Sequence, residues 1–140
     1  MSISLKQFDA LNLFCNTICV QQNVRFCGII NSMGRLVAGC FKNDIHPLDN
    51  DEQRHMLYMQ SKLELSMKEE FDSNLGCVNY VVTYRDNIAI INIPLKNQLH
   101  VLMSTERVAD IKKIVDMTIE HFQNDDIFSD TSVLLKTNTA

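Results

Sequence analysis

The chain lacks most of the features that announce a function. No stretch approaches the roughly 20 consecutive apolar residues needed to span a membrane. The first residues, Met1-Ser-Ile-Ser-Leu-Lys6, hold no basic region followed by an apolar core, so no secretion signal is expected. The 13 Lys and Arg are scattered against 17 acidic residues, for a formal net charge of -4. Nucleic-acid binding depends on cations concentrated on one face, so that function is set aside. There is no G-x-x-x-x-G-K-[ST] phosphate loop, no G-x-S-x-G nucleophile elbow and no H-E-x-x-H pair. Gly28, Gly34 and Gly39 do not form a dinucleotide fingerprint. Internal repeats and low-complexity segments are missing too.

The five cysteines, Cys15, Cys19, Cys27, Cys40 and Cys77, are odd in number, and four lie within apolar runs. That pattern suits reduced, buried thiols in a cytoplasmic protein without disulfides. Cys15 and Cys19 are four apart on an expected helix, and a hairpin would bring Cys27 near Cys40. Zinc sites usually combine paired C-x2-4-C spacings, and the apolar setting favours packing over metal. A reactive thiol needs exposure and positive neighbours; Cys77, at a strand start, is the one weak candidate. His46, His55, His100 and His121 form no metal pattern. His100 reads as a structural histidine in a strand, His46 as part of a solvated loop. His55 and Tyr58 share a helix face offset from the methionines and read as surface or interface residues. The pairs Glu69-Glu70 and Asp125-Asp126 read as solvated charges. No catalytic residue, metal or cofactor is expected, and the chain is read as non-enzymatic.

What is present is ordinary globular material: 140 residues, 46% apolar, enough for one domain with its own core. Phe8, Leu11, Cys15 and Ile18 recur at helical spacing within residues 3–21. Val24–Asn31 and Arg35–Lys42 read as strands joined by Ser32-Met33-Gly34, with Gly34 supplying a positive φ. Apolar residues occupy both faces of this hairpin. Val24, Phe26 and Ile30 are expected on one face of the first strand, with Cys27 and Ile29 on the other. In the second strand, Leu36, Ala38 and Cys40 oppose Val37 and Phe41. Such strands need cover on both sides.

Pro47 delays a long second helix, about residues 50–73, with Asp49 as N-cap and Glu52 completing a capping box. Its stripe of Met56, Met59, Leu63 and Met67 reads partly as core and partly as contact surface. Asn74-Leu75-Gly76 ends it. Cys77–Arg85, Ile88–Ile93 and Leu99–Ser104 read as strands, with a turn at Asp86-Asn87. A last helix over 106–123 places Val108, Ile111, Val115, Ile119 and Phe122 inward. The domain is expected over 1–123, and 124–140 as an extension. There Ile127, Phe128 and Val133–Leu135 are expected to dock and the last residues to fray.

The order α-β-β-α-β-β-β-α and the hairpin "GIINSMGRLVAG" resemble the roadblock/LC7 fold, a relative of profilin-like and longin domains. Together with "RHMLYMQSKLELSMKEEFD" and "VNYVVTYRDNIAIINIP", the same wording is also similar to a small uncharacterised family of ammonia-oxidising archaea. The roadblock resemblance implies an α+β fold: a five-stranded antiparallel sheet of order 2-1-5-4-3 with helices on both faces. It also implies a homodimer through the third strand and second helix, with Met56, Met59, Leu63, Met67, Val78, Tyr80, Val81, Val82 and Tyr84 at the interface. A regulatory or scaffold role follows, with a small GTPase as protein partner and neither nucleic acid nor membrane. PAS sensor domains share the strand order. The second reading is therefore a PAS- or profilin-like sensor holding a small apolar ligand in a pocket lined by Phe26, Phe41, Met56 and Met59.

Overall fold

The computed structural model describes residues 5–124. The elements run α1 (Leu5–Cys19), β1 (Val24–Ile30), β2 (Leu36–Phe41), α2 (Asp51–Glu69), α3 (Asp72–Leu75), β3 (Val81–Tyr84), β4 (Ile88–Pro94), β5 (His100–Glu106) and α4 (Ile111–Asn124). The five strands form one sheet of order β2-β1-β5-β4-β3, with antiparallel neighbours, as the roadblock resemblance implies. The three interior strands, β1, β5 and β4, are buried along nearly their whole length. That is why β1 is apolar on both faces, whereas β2, at the edge of the sheet, is fully buried only at Ala38.

One face packs against α1 and α4. Leu11, Phe14, Cys15 and Ile18 of α1 and Ile111, Ile114, Val115 and Phe122 of α4 meet Cys27, Ile29, Ile91, Val101 and Met103 of the sheet. The other face lies under α2, where Phe26, Ile30, Ile90 and Leu102 gather around Tyr58. The docking of Ile127, Phe128 and Val133–Leu135 lies outside the described residues.

The hairpin turn is held by Asn31. Its Oδ1 accepts from the Met33 N–H at 2.9 Å and the Arg35 N–H at 3.0 Å, while Gly34 donates to the Asn31 carbonyl. Gly34 has φ +74°, as the turn requires. Two irregularities correct the expected faces. The register shifts between Ile29 and Ile30, so Ala38 faces Ile29 while Leu36 faces Ile30. An extra residue in one strand reverses the alternation beyond it. Leu36 therefore sits on the α2 face and Val37 packs with Ala38 on the other. A second shift between Val24 and Phe26 sends Val24 to the α1/α4 core.

Other boundaries also move. The N-cap of α2 is Asn50, not Asp49. Asn50 Oδ1 accepts from the Gln53 N–H at 2.8 Å, and Gln53 Oε1 accepts from the Asn50 N–H at 3.1 Å. Asp49 pairs with Arg54 instead. The helix stops at Glu69, and Gly76 with φ +85° closes the short α3 rather than α2. Strand β5 runs on to Glu106, which delays α4 until Ile111. Val108 consequently lies in the connecting loop, exposed.

Candidate functional site

Four large apolar side chains stand exposed along one side of α2. At about 100° per residue, Met56, Met59, Leu63 and Met67 fall on one side of the helix, and Arg54, Tyr58, Ser61, Lys62 and Leu65 on the opposite side. The second set faces the sheet: Tyr58, Ser61, Lys62 and Leu65 are buried. The first faces outward, with Met56 65%, Met59 55%, Leu63 64% and Met67 66% exposed. None of the stripe is core, which corrects the divided reading, and Tyr58 is a core residue rather than a surface one.

Named contacts fix this orientation. The Tyr58 ring stacks on Phe26 with centroids 6.3 Å apart, and the Arg54 guanidinium lies 5.0 Å over the Phe41 ring. Burial pushes the Tyr58 phenol up to about 12. Lys62 Nζ donates to the Gln98 carbonyl at 2.7 Å. The tip of the β1–β2 hairpin reaches the helix at Met59, and Met33 in that turn is exposed. The inner set was missed because both faces of α2 repeat at the helical period. The available signal was the pair Arg54 and Tyr58, whose stacking partners Phe26 and Phe41 lie opposite each other in the hairpin register.

Beside the stripe lies an open groove of about 710 Å³, lined by Met56, Leu57 and Gln60 of α2, Ile88 and Ile90 of β4, and Arg85, Asp86 and Asn87 of the β3–β4 turn. The helix thus leaves the β3 side of the sheet uncovered. Strand β3 lies at the end of the sheet, paired with β4 through Val81–Tyr84. It is shorter than expected, and Val78 and Tyr80 precede it. Continuing the register would set Asn79 opposite Pro94, which has no N–H to donate. Tyr84 is exposed, and its ring packs 4.6 Å from the Arg107 guanidinium.

Phe26 and Phe41 do line a cavity, with Tyr58, Leu57, Ile90 and Leu102, but its volume is about 50 Å³. That space suits a few waters and is below the roughly 300 Å³ of an ordinary small-molecule site. Met56 and Met59 do not line it: Met56 borders the open groove and Met59 meets the hairpin tip.

The thiols converge between α1 and the hairpin. Cys27 and Cys40 are paired across β1 and β2. Cys19 Sγ donates to the Cys40 carbonyl at 3.1 Å, and Cys40 Sγ to the Cys15 carbonyl at 3.5 Å. Burial raises the Cys19 thiol to about 12 and holds Cys27 well above its usual value. Among the described residues, no group of three or more His, Cys, Asp or Glu is arranged to hold a metal ion, and no helix is long and apolar enough to cross a membrane.

A model described as "Family of unknown function (DUF6659)" matches residues 1–131. No curated protein matches the sequence significantly. Among solved structures, the chain is similar to a roadblock/LC7 domain from Streptomyces avermitilis, with TM-score 0.62 and 12% identity over 81% of this chain and 94% of that one. It is also similar to the gliding protein MglB from Thermus thermophilus, with TM-score 0.70 and 8% identity over 91% of each chain. A third structure, described as MglB with tetrameric arrangement, gives TM-score 0.66 and 7% identity over 84% of this chain and 85% of that one. The fold is that of roadblock/LC7 domains.

Proposed function

The chain belongs to DUF6659, a family of unknown function, and from that membership and its roadblock/LC7 fold we propose a non-enzymatic, homodimeric scaffold or regulatory protein that works through protein contacts. One observation carries this reading. The outer stripe of α2 is apolar, exposed and opposite the face that packs on the sheet. Monomers seldom leave a contiguous apolar patch of this kind open. Methionines make it an adaptable contact surface. A two-fold axis beside α2 brings Met56, Met59, Leu63 and Met67 against the same residues of a second copy, as self-matching patches require.

The groove next to the stripe gives the partner helix a seat on Ile88 and Ile90. The end strand β3, with Val81, Val82 and Tyr84, and the preceding Val78 and Tyr80 extend the surface along the same edge. A stable interface of this type buries on the order of 1,600 Å² in total. The structural neighbour described with a tetrameric arrangement supports self-association as a use of the fold. A small GTPase is the further partner that the roadblock resemblance implies. The five free cysteines suit the reducing cytoplasm.

Sedimentation across micromolar dilution tests the dimer. Wild type is expected to sediment as a dimer. Leu63→Lys combined with Met67→Lys is expected to sediment as a folded monomer, since both side chains point to solvent within one chain. A wild type that stays monomeric at high concentration rejects the reading.

A further inference from the structure

The two faces of the sheet are covered in different ways. On the α1/α4 side the cover is continuous apolar packing. On the α2 side the apolar cluster gathers around Tyr58, in the first half of the helix. Beyond Tyr58, α2 lays Ser61 and Lys62 toward the sheet, and Leu65 is the one buried aliphatic residue among 61–69. Beneath it the sheet is polar as well. Asn92 and His100 lie on the same face as diagonal neighbours, through the pairs Asn92↔Leu102 and Pro94↔His100. Both are buried. Neither ring nitrogen of His100 meets a protein partner, nor does Oδ1 of Asn92. Burying such groups without partners costs free energy that water would restore.

The first half of α2 is anchored differently. It has the Tyr58–Phe26 stack, the Arg54–Phe41 contact, the Asn50 capping box and the hairpin tip at Met59. At the far end the helix breaks at Glu70-Phe71 before α3 begins. The segment 61–69, held to the sheet side by Leu65 and by the Lys62–Gln98 hydrogen bond at 2.7 Å, which opening must break, therefore lies between a fixed point and a break.

We propose that residues 61–69 form a lid, which detaches from the sheet while the first half of α2 stays docked and so admits water to Asn92 and His100. A helical segment this short does not persist alone in water, so detachment also unwinds it. Leu63 and Met67 ride on the lid. Opening thus dismantles half of the outer stripe, and any ligand of the intact stripe favours the closed state by its differential affinity. The lid follows from the polar layer and does not depend on the dimer.

Native-state hydrogen exchange on dilute full-length protein reads this directly. Amides of 61–69 are expected to exchange at least about 100-fold faster than those of β1 and β5, as a local opening does, with 54–58, past the unbonded first-turn N–H groups, more protected than 61–69. Replacing Asn92→Leu and His100→Leu together fills the polar layer with apolar side chains. It is expected to slow exchange in 61–69 by about tenfold or more without quickening β1. Exchange of 61–69 at the same rate as β1 in the wild type, with the same denaturant dependence, overturns the lid. A folded double variant with unchanged exchange there overturns it too.

Discussion

Gly34 packs against the backbone of Met59: a Cβ at Gly34 would stand 2.9 Å from the Met59 Cα, closer than real Cβ contacts come. The turn demands glycine twice, for its φ of +74° and for this approach. Left-handed backbone alone costs an L-residue about 1–2 kcal/mol, and the clash adds to it. Gly34→Ala is expected to lower unfolding stability by about 2 kcal/mol or more, seen as a lower denaturant midpoint at constant slope. A change under about 0.5 kcal/mol would mean that the hairpin tip does not seat α2.

Tyr58 and Leu63 test the orientation of the helix. Tyr58→Ala removes a buried ring stacked on Phe26 and is expected to cost about 3–5 kcal/mol. Leu63→Ala, on the solvent side, should stay within about 0.5 kcal/mol in the monomer. Urea unfolding of the two variants side by side decides it, and a reversed ranking would turn the helix over.

His100 gives stability a pH dependence. Burial first, and the Lys62 charge second, lower its pKa from 6.5 to about 3. As pH falls through 6.5 the unfolded chain takes up a proton that the folded chain refuses until near 3. The unfolded state then binds more protons, so stability rises with pH across this window. The contribution is complete above 6.5 and lost progressively toward 3. Relative to His100→Leu, wild type is expected to lose about 2 kcal/mol between about pH 7.5 and about pH 5. Parallel curves for the two proteins would show that the imidazole is not held neutral.

The thiols should divide by position. Cys77 is exposed, whereas Cys15, Cys19 and Cys27 are buried and Cys40 partly so. Burial raises Cys19, Cys27 and Cys40, which leaves little thiolate to react. Alkylation of native protein at neutral pH, followed by peptide mass spectrometry, is expected to label Cys77 quickly and the other four only after unfolding. Reductant or chelator should leave the melting temperature unchanged. Fast labelling of Cys19 or Cys40 would show that α1 opens from the hairpin.

Local chemistry made much of the fold legible. Helix α1, the Asn31–Gly34 turn and the break at Pro47 follow from spacing and turn residues that act over a few positions. The roadblock resemblance, resting on element order, carried the strand order through to the sheet. The candidate site was legible in part: Met56, Met59, Leu63 and Met67 stand out as a stripe.

What the sequence could not determine is where that stripe points. Arg54, Tyr58, Ser61, Lys62 and Leu65 repeat at the same period on the other side, and periodicity alone does not choose between two faces. The choice came from partners distant in the chain. Phe26 and Phe41 take Tyr58 and Arg54, Gly34 meets Met59, and Gln98 accepts from Lys62. The bulge that turns Leu36 toward α2 was hidden for the same reason, since it exists only in the pairing of β2 with β1. Sequence spacing determines which residues share a side of an element. Only tertiary packing decides which side is covered, because that depends on shape and polarity matched across residues that are far apart along the chain.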